Sequence, residues 1–120
     1  MKKQFDYIQD PGHGWVKVPF DLLRELGIAD KITYYSYYNR GQVYLEEDND
    51  TCTFINAYRE AFGFDPKLRD RVARERRSRV RGYVPYSYHI ACNVILVKSE
   101  INQLYSAMRE SGKLEIIHVK

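Results

Sequence analysis

Between Gly14 and Glu46 the chain writes a short strand, a two-turn helix and a hairpin into very little sequence. It reads Gly14-Trp15-Val16-Lys17-Val18-Pro19, then Phe20-Asp21-Leu22-Leu23-Arg24-Glu25-Leu26-Gly27-Ile28, then a tyrosine-rich run ending Gln42-Val43-Tyr44-Leu45-Glu46. A unit this small cannot close a core alone, so it has to pair with a second copy or dock on the rest of the chain. Val16 and Val18 fall on one face of the strand. Pro19 suits a helix start, where its missing N–H is not needed. Leu22, Leu23 and Leu26 form the apolar stripe, and Gly27 suits a left-handed cap. Segments 32–38 and 42–46 read as strands joined through Asn39-Arg40-Gly41.

The flanking sequence extends this pattern. Residues 5–9 alternate as a strand, and Asp10-Pro11-Gly12-His13-Gly14 is a turn in which two glycines permit positive φ. Asn49, Asp50 and Thr51 offer N-caps for a helix running to about Ala61, with Phe54, Ala57, Tyr58 and Ala61 on one side. Asp65 followed by Pro66 is a cap-then-proline start for a second helix over 65–82, with a thin stripe of Leu68, Val72 and Val80. Segment 89–120 reads as strand, helix, strand. The expectation is one α+β domain over 1–120: a small, mostly antiparallel sheet, about four helices, and one exposed Arg-rich helix.

Composition excludes several classes. At 120 residues with 44% hydrophobic and 29% charged content, the chain is an ordinary globular one, not a disordered one. No run of about 18 apolar residues exists, so no membrane span is expected. The start, Met1-Lys2-Lys3-Gln4-Phe5-Asp6, has no apolar stretch after its lysines, which predicts a cytoplasmic location. Cys52 and Cys92 are far apart and read as two buried thiols. Net charge is only +3, yet residues 67–81 hold eight basic residues against Asp70 and Glu75. Such asymmetry is an argument about partners.

Two resemblances add to this reading. The order Gly-x-Val-x-Val-Pro, Leu-Leu-x-x-Leu-Gly-Ile, Val-Tyr-Leu-Glu over residues 8–46 resembles the swapped-hairpin domain of AbrB-like transition-state regulators and related antitoxins. The resemblance implies a homodimer that exchanges hairpins. The family's basic position after the first glycine is Trp15 here, and of its paired basic residues only Arg24 is present beside Leu23. What is implied for this half is therefore the fold, not the DNA grip. Separately, Asp10-Pro11-Gly12-His13-Gly14-Trp15, Val43-Tyr44-Leu45-Glu46-Glu47-Asp48 and Arg76-Arg77-Ser78-Arg79-Val80-Arg81-Gly82-Tyr83 resemble short uncharacterised phage and plasmid proteins. That implies a mobile-element accessory protein.

The Arg-rich segment is the main candidate site. Arginine presents a planar fork that grips phosphate bidentately and stacks on bases. Arg69, Arg76, Arg77, Arg79 and Arg81 are the expected nucleic-acid contacts, for DNA or RNA. The competing reading is a solvated helix whose surplus charge meets Glu46-Glu47-Asp48-Asn49-Asp50 in the same or a neighbouring chain. That acidic run lacks the glycine and distal Glu of a calcium loop, so no metal and no cofactor are expected. His13 has the pKa of a general base but no nucleophile nearby in sequence, so the expected role is non-catalytic. Tyr34, Tyr35, Tyr37 and Tyr38 are the expected protein interface: on a strand, one pair faces outward. A host protein bound through these tyrosines, and inhibited, is the alternative to nucleic acid.

Overall fold

A computed structural model describes residues 3–72 and 78–93. Six strands form one sheet: β1 (Gln4–Gln9), β2 (Gly14–Pro19), β3 (Tyr37–Asn39), β4 (Gln42–Glu46), β5 (Lys67–Val72) and β6 (Val84–Pro85). Their order is β5-β1-β2-β4-β3-β6. The sheet is mixed, because β5 runs parallel to β1 whereas the other pairings are antiparallel. Helix α1 (Phe20–Glu25) follows β2, helix α2 (Asn49–Phe62) follows β4, and residues 88–93 are helical. The class is α+β.

The strands place apolar residues on one face by simple alternation. Phe5, Val16, Val18, Val43 and Leu45 point into a core closed by Phe20 and Leu23 of α1 and by Phe54 and Tyr58 of α2. Phe5 meets Phe54 and Tyr58 edge-on, with centroids 5.2 and 5.9 Å away. Burying a side chain such as Phe54 contributes about 1.5–3 kcal/mol. The β3–β4 hairpin closes on Arg40 and Gly41, both at positive φ (49° and 82°), which is the primed two-residue turn that matches strand twist.

Helix α2 begins on the acidic run. Glu46, at the end of β4, accepts from the backbone N–H groups of Asp48, Asn49 and Asp50 at 2.9, 2.5 and 2.7 Å. The run is therefore a helix start whose first carboxylate supplies the cap. Asp50 is fully buried and accepts from the Thr33 hydroxyl at 2.7 Å and the Ser36 hydroxyl at 2.6 Å.

Three expectations need correction. The helix expected over 65–82 does not form at its described residues: Lys67–Val72 is strand β5, and Arg79–Gly82 is a short 3-10 turn. A stripe as thin as Leu68 and Val72 holds a helix poorly, whereas the open edge of β1 offers a row of backbone partners. Asp65 does not cap; it pairs with Arg59 at 2.5 Å. The expected strand over 32–38 is also shortened. Residues 33–36 form a turn fixed on Asp50, and only Tyr37–Asn39 is strand. Finally, the strand expected from Ile90 is helical as far as it is described, started by Ser87, whose hydroxyl accepts from the Ile90 N–H at 3.4 Å. The described residues hold three helices, and none of these is Arg-rich. The remaining C-terminal elements lie outside the described residues. Among the described residues no helix is long and apolar enough to cross a membrane.

Candidate functional site

The face of the sheet opposite the core carries the charge. Pairing sets Gln4 beside Lys67, Asp6 beside Arg69 and Lys17, and Ile8 beside Arg71 and Trp15. Because paired residues share a face, Lys17, Lys67, Arg69 and Arg71 line one surface. Asp6 is the acid set among them: Arg69 Nη2 lies 2.9 Å and Arg71 Nε 3.8 Å from its carboxylate. Both arginines stay half exposed. Asp70 alternates to the other side, where the Gln9 amide donates to it at 3.4 Å.

The expected contact residues meet different fates. Arg69 lies on this basic face, on a strand instead of a helix. Arg79 is exposed on the second 3-10 turn. Arg76 and Arg77 lie outside the described residues. Arg81 is held inward: its Nε and Nη2 donate to Asp10 at 2.7 and 2.9 Å, and its guanidinium sits 5.4 Å from the Trp15 ring centroid.

Asp10 is the residue that sequence reasoning passed over. Its carboxylate is fully enclosed and also accepts from the N–H groups of Gly12, His13 and Ser78 at 3.0, 3.0 and 2.9 Å. One carboxylate therefore shapes the β1–β2 turn and fastens the distant 78–82 segment to it. The Arg81 fork, and next the Ser78 N–H, hold the Asp10 carboxyl far below the usual carboxylate range; in return the pair raises Arg81. The glycines of this turn serve space rather than positive φ. A Cβ at Gly14 would stand 2.5–2.7 Å from the Tyr7 ring and hydroxyl, and one at Gly12 2.7 Å from Arg81 Nη2. The sequence signal was Asp before Pro-Gly, an Asx-turn signature.

Trp15, Tyr44 and Val80 form a second buried cluster on this face, with Ile8, Tyr37 and Tyr83 packed against it. Burial, and then the neighbouring Tyr83, pushes the Tyr44 hydroxyl up to about 12.

The expected tyrosine interface divides by position. Tyr34 and Tyr35 are the central residues of the turn closed by the Ser36 N–H donating to the Thr33 carbonyl at 3.2 Å. They are 67% and 65% exposed, with their rings stacked at 4.6 Å. Tyr37 is half-buried beside Trp15, whereas Tyr38 is a core residue edge-on to Phe20 at 6.4 Å.

Beside these tyrosines opens a cleft of about 460 Å³, lined by His13, Trp15, Thr33, Tyr35, Tyr37, Arg81 and by Glu46, Glu47, Asp48 and Asn49. Glu47 accepts from the Tyr7 hydroxyl at 3.2 Å and lies 3.6 Å from His13 Nδ1. Burial, and then this bond, raises Tyr7. Arg81 shares this cleft with the acidic run, but no ion pair joins the run to the basic segment among the described residues: Arg69, Arg71 and Arg81 pair with Asp6 and Asp10. Nor does any group of three His, Cys, Asp or Glu among the described residues converge as metal ligands would. Comparison with known proteins finds no matching family model, no matching curated protein and no matching solved structure.

Proposed function

We propose that the chain is a small non-catalytic binding protein that holds nucleic acid on the outer face of its sheet. The observation that carries this reading is the row Lys17, Lys67, Arg69 and Arg71 on one open face, with Asp6 alone set among them by the register. One carboxylate does not neutralise four cations, and half-exposed guanidinium forks on a strand can track successive phosphates. Arg79, on the Arg79–Gly82 turn, is a further exposed cation. A homodimer belongs to the same proposal, since two copies double the phosphate contacts.

Fluorescence anisotropy on labelled duplex DNA, single-stranded DNA and RNA, each at about 50 and about 200 mM salt, tests it. Binding is expected to weaken by orders of magnitude between those salts. The double variant Lys67→Glu and Arg71→Glu should abolish it and leave the fold intact, because both side chains are exposed. Wild-type protein that binds none of the three at the lower salt overturns the proposal.

A second reading is favoured by the stacked, exposed Tyr34–Tyr35 pair on a fixed turn. Rigid aromatic surface of that kind suits a protein partner. The phage and plasmid resemblance gives that partner a setting, as a host protein to be inhibited.

A further inference from the structure

The cleft beside the tyrosine turn has a chemistry opposite to that of the basic face. Glu46 is engaged by three backbone N–H groups, and Glu47 by Tyr7 and His13. Asp48 is exposed, and its carboxylate makes no hydrogen bond or ion pair among the described residues. The one guanidinium in the lining, Arg81, is matched by Asp10. The cleft is therefore electronegative and would repel a phosphate. Beside His13, Thr33 and Asn49 its walls carry three aromatic rings: Trp15 and Tyr37 meet edge-on at 6.3 Å, and Tyr35 adds an exposed ring. Aromatic faces next to a carboxylate attract an organic cation.

We infer that this cleft receives an arginine side chain presented by a protein partner. It gives a chemistry to the protein-partner reading, on which it rests, and stands apart from the basic face. The volume of about 460 Å³ falls in the range of small-ligand sites, enough for a long side chain and its flanking backbone. Arginine fits better than lysine because a planar fork stacks on a ring while it donates twice to a carboxylate. The protein already builds this arrangement once: Arg81 donates twice to Asp10 with its guanidinium over the Trp15 ring. Tyr35, Tyr37 and Asp48 line this one cleft, which therefore holds the same two kinds of group, ring and carboxylate, for a guanidinium from outside. The stacked Tyr34–Tyr35 rings beside the cleft supply rigid surface for the backbone that carries it.

The test is calorimetric titration of the whole chain with blocked glycine peptides carrying Arg, Lys or citrulline at the centre. Emission from Trp15, the single tryptophan, reports whether the cleft is the site. The Arg peptide is expected to bind saturably and shift that emission, with the Lys peptide several-fold weaker. The citrulline peptide, which keeps the shape and loses the charge, should bind about tenfold more weakly or not at all. Asp48→Asn and Tyr35→Ala, both at exposed positions, should each weaken the Arg peptide about three- to tenfold. Equal binding of Arg and citrulline peptides overturns the inference. So does the absence of saturable heat with the Arg peptide, or wild-type affinity in both variants. No nucleic acid enters the measurement, so its failure is separate from failure of the basic-face reading.

Discussion

At the scale of the residue, Asp10 joins two parts of the chain that are far apart in sequence. Five donors surround its carboxylate, three from its own turn and from Ser78, two from Arg81. Those donors favour the ionised form, so folding depresses its pKa. The stabilisation is complete above the unfolded value of about 3.9 and is lost as pH falls through the much lower folded value. Urea midpoints measured from about pH 6 down to about pH 2 should therefore fall in the wild type. An Asp10→Asn variant should start lower and fall less steeply, since it has no carboxylate there to protonate. Parallel acid limbs in the two proteins would remove Asp10 as the source. Asp65, depressed by Arg59, pulls the same way in both and does not obscure the difference.

At the scale of the element, α2 and β5 contribute very differently to stability. Phe54 is fully buried against Phe5 and Tyr58, whereas Leu68 on β5 is 39% exposed. Phe54→Ala should cost about 3–5 kcal/mol and Leu68→Ala under about 1 kcal/mol in equilibrium urea unfolding. Comparable losses would mean that β5 is held more firmly than its packing implies. The same contrast explains what could be read in advance. The two hairpins, α1 and α2 announce themselves locally, through Asp10-Pro11, Arg40-Gly41, Leu22-Leu23 and the glycine at 63. Strand β5 does not. Lys67, Arg69 and Arg71 alternate as a strand should, but Asp65-Pro66 is an equally good helix start. The choice between them is made by the edge of β1 and by Asp6, whose contact with Arg69 spans 63 residues. Of the expected basic contacts, Arg69 lies on the basic face and Arg81 is turned inward onto Asp10, whereas the neighbouring Lys17, Lys67 and Arg71 are brought beside Arg69 only by strand register. The cleft was legible only in pieces, because His13, Tyr35 and Asp48 meet through folding alone.

At the scale of the whole molecule, the outer surface is divided between a basic row at the β5 edge and an electronegative aromatic cleft, with Val80 and Tyr83 packed on Trp15 and Tyr44. On the two proposed readings, partners of opposite charge would not compete for the same side chains. The topology also orders events in time. The β1–β2 and β3–β4 pairings close over short turns, whereas β1 and β5 must find each other across the span from Gln9 to Lys67. Loop closure of that length carries an entropy cost that local hairpins avoid, and parallel pairing gives slightly less back per residue. β5 should be the last strand to join and the first to leave. Native-state hydrogen exchange is expected to show the β5 amides opening well below the global unfolding free energy, with those of β2 and β4 exchanging only on complete unfolding. Uniform protection across all the strands would contradict this. If β5 opens first, its Lys67, Arg69 and Arg71 form a late-assembled, separately opening part of the basic row, and on the proposed nucleic-acid reading a bound polyanion slows their exchange while the central strands, Lys17 of β2 among them, keep their own clock.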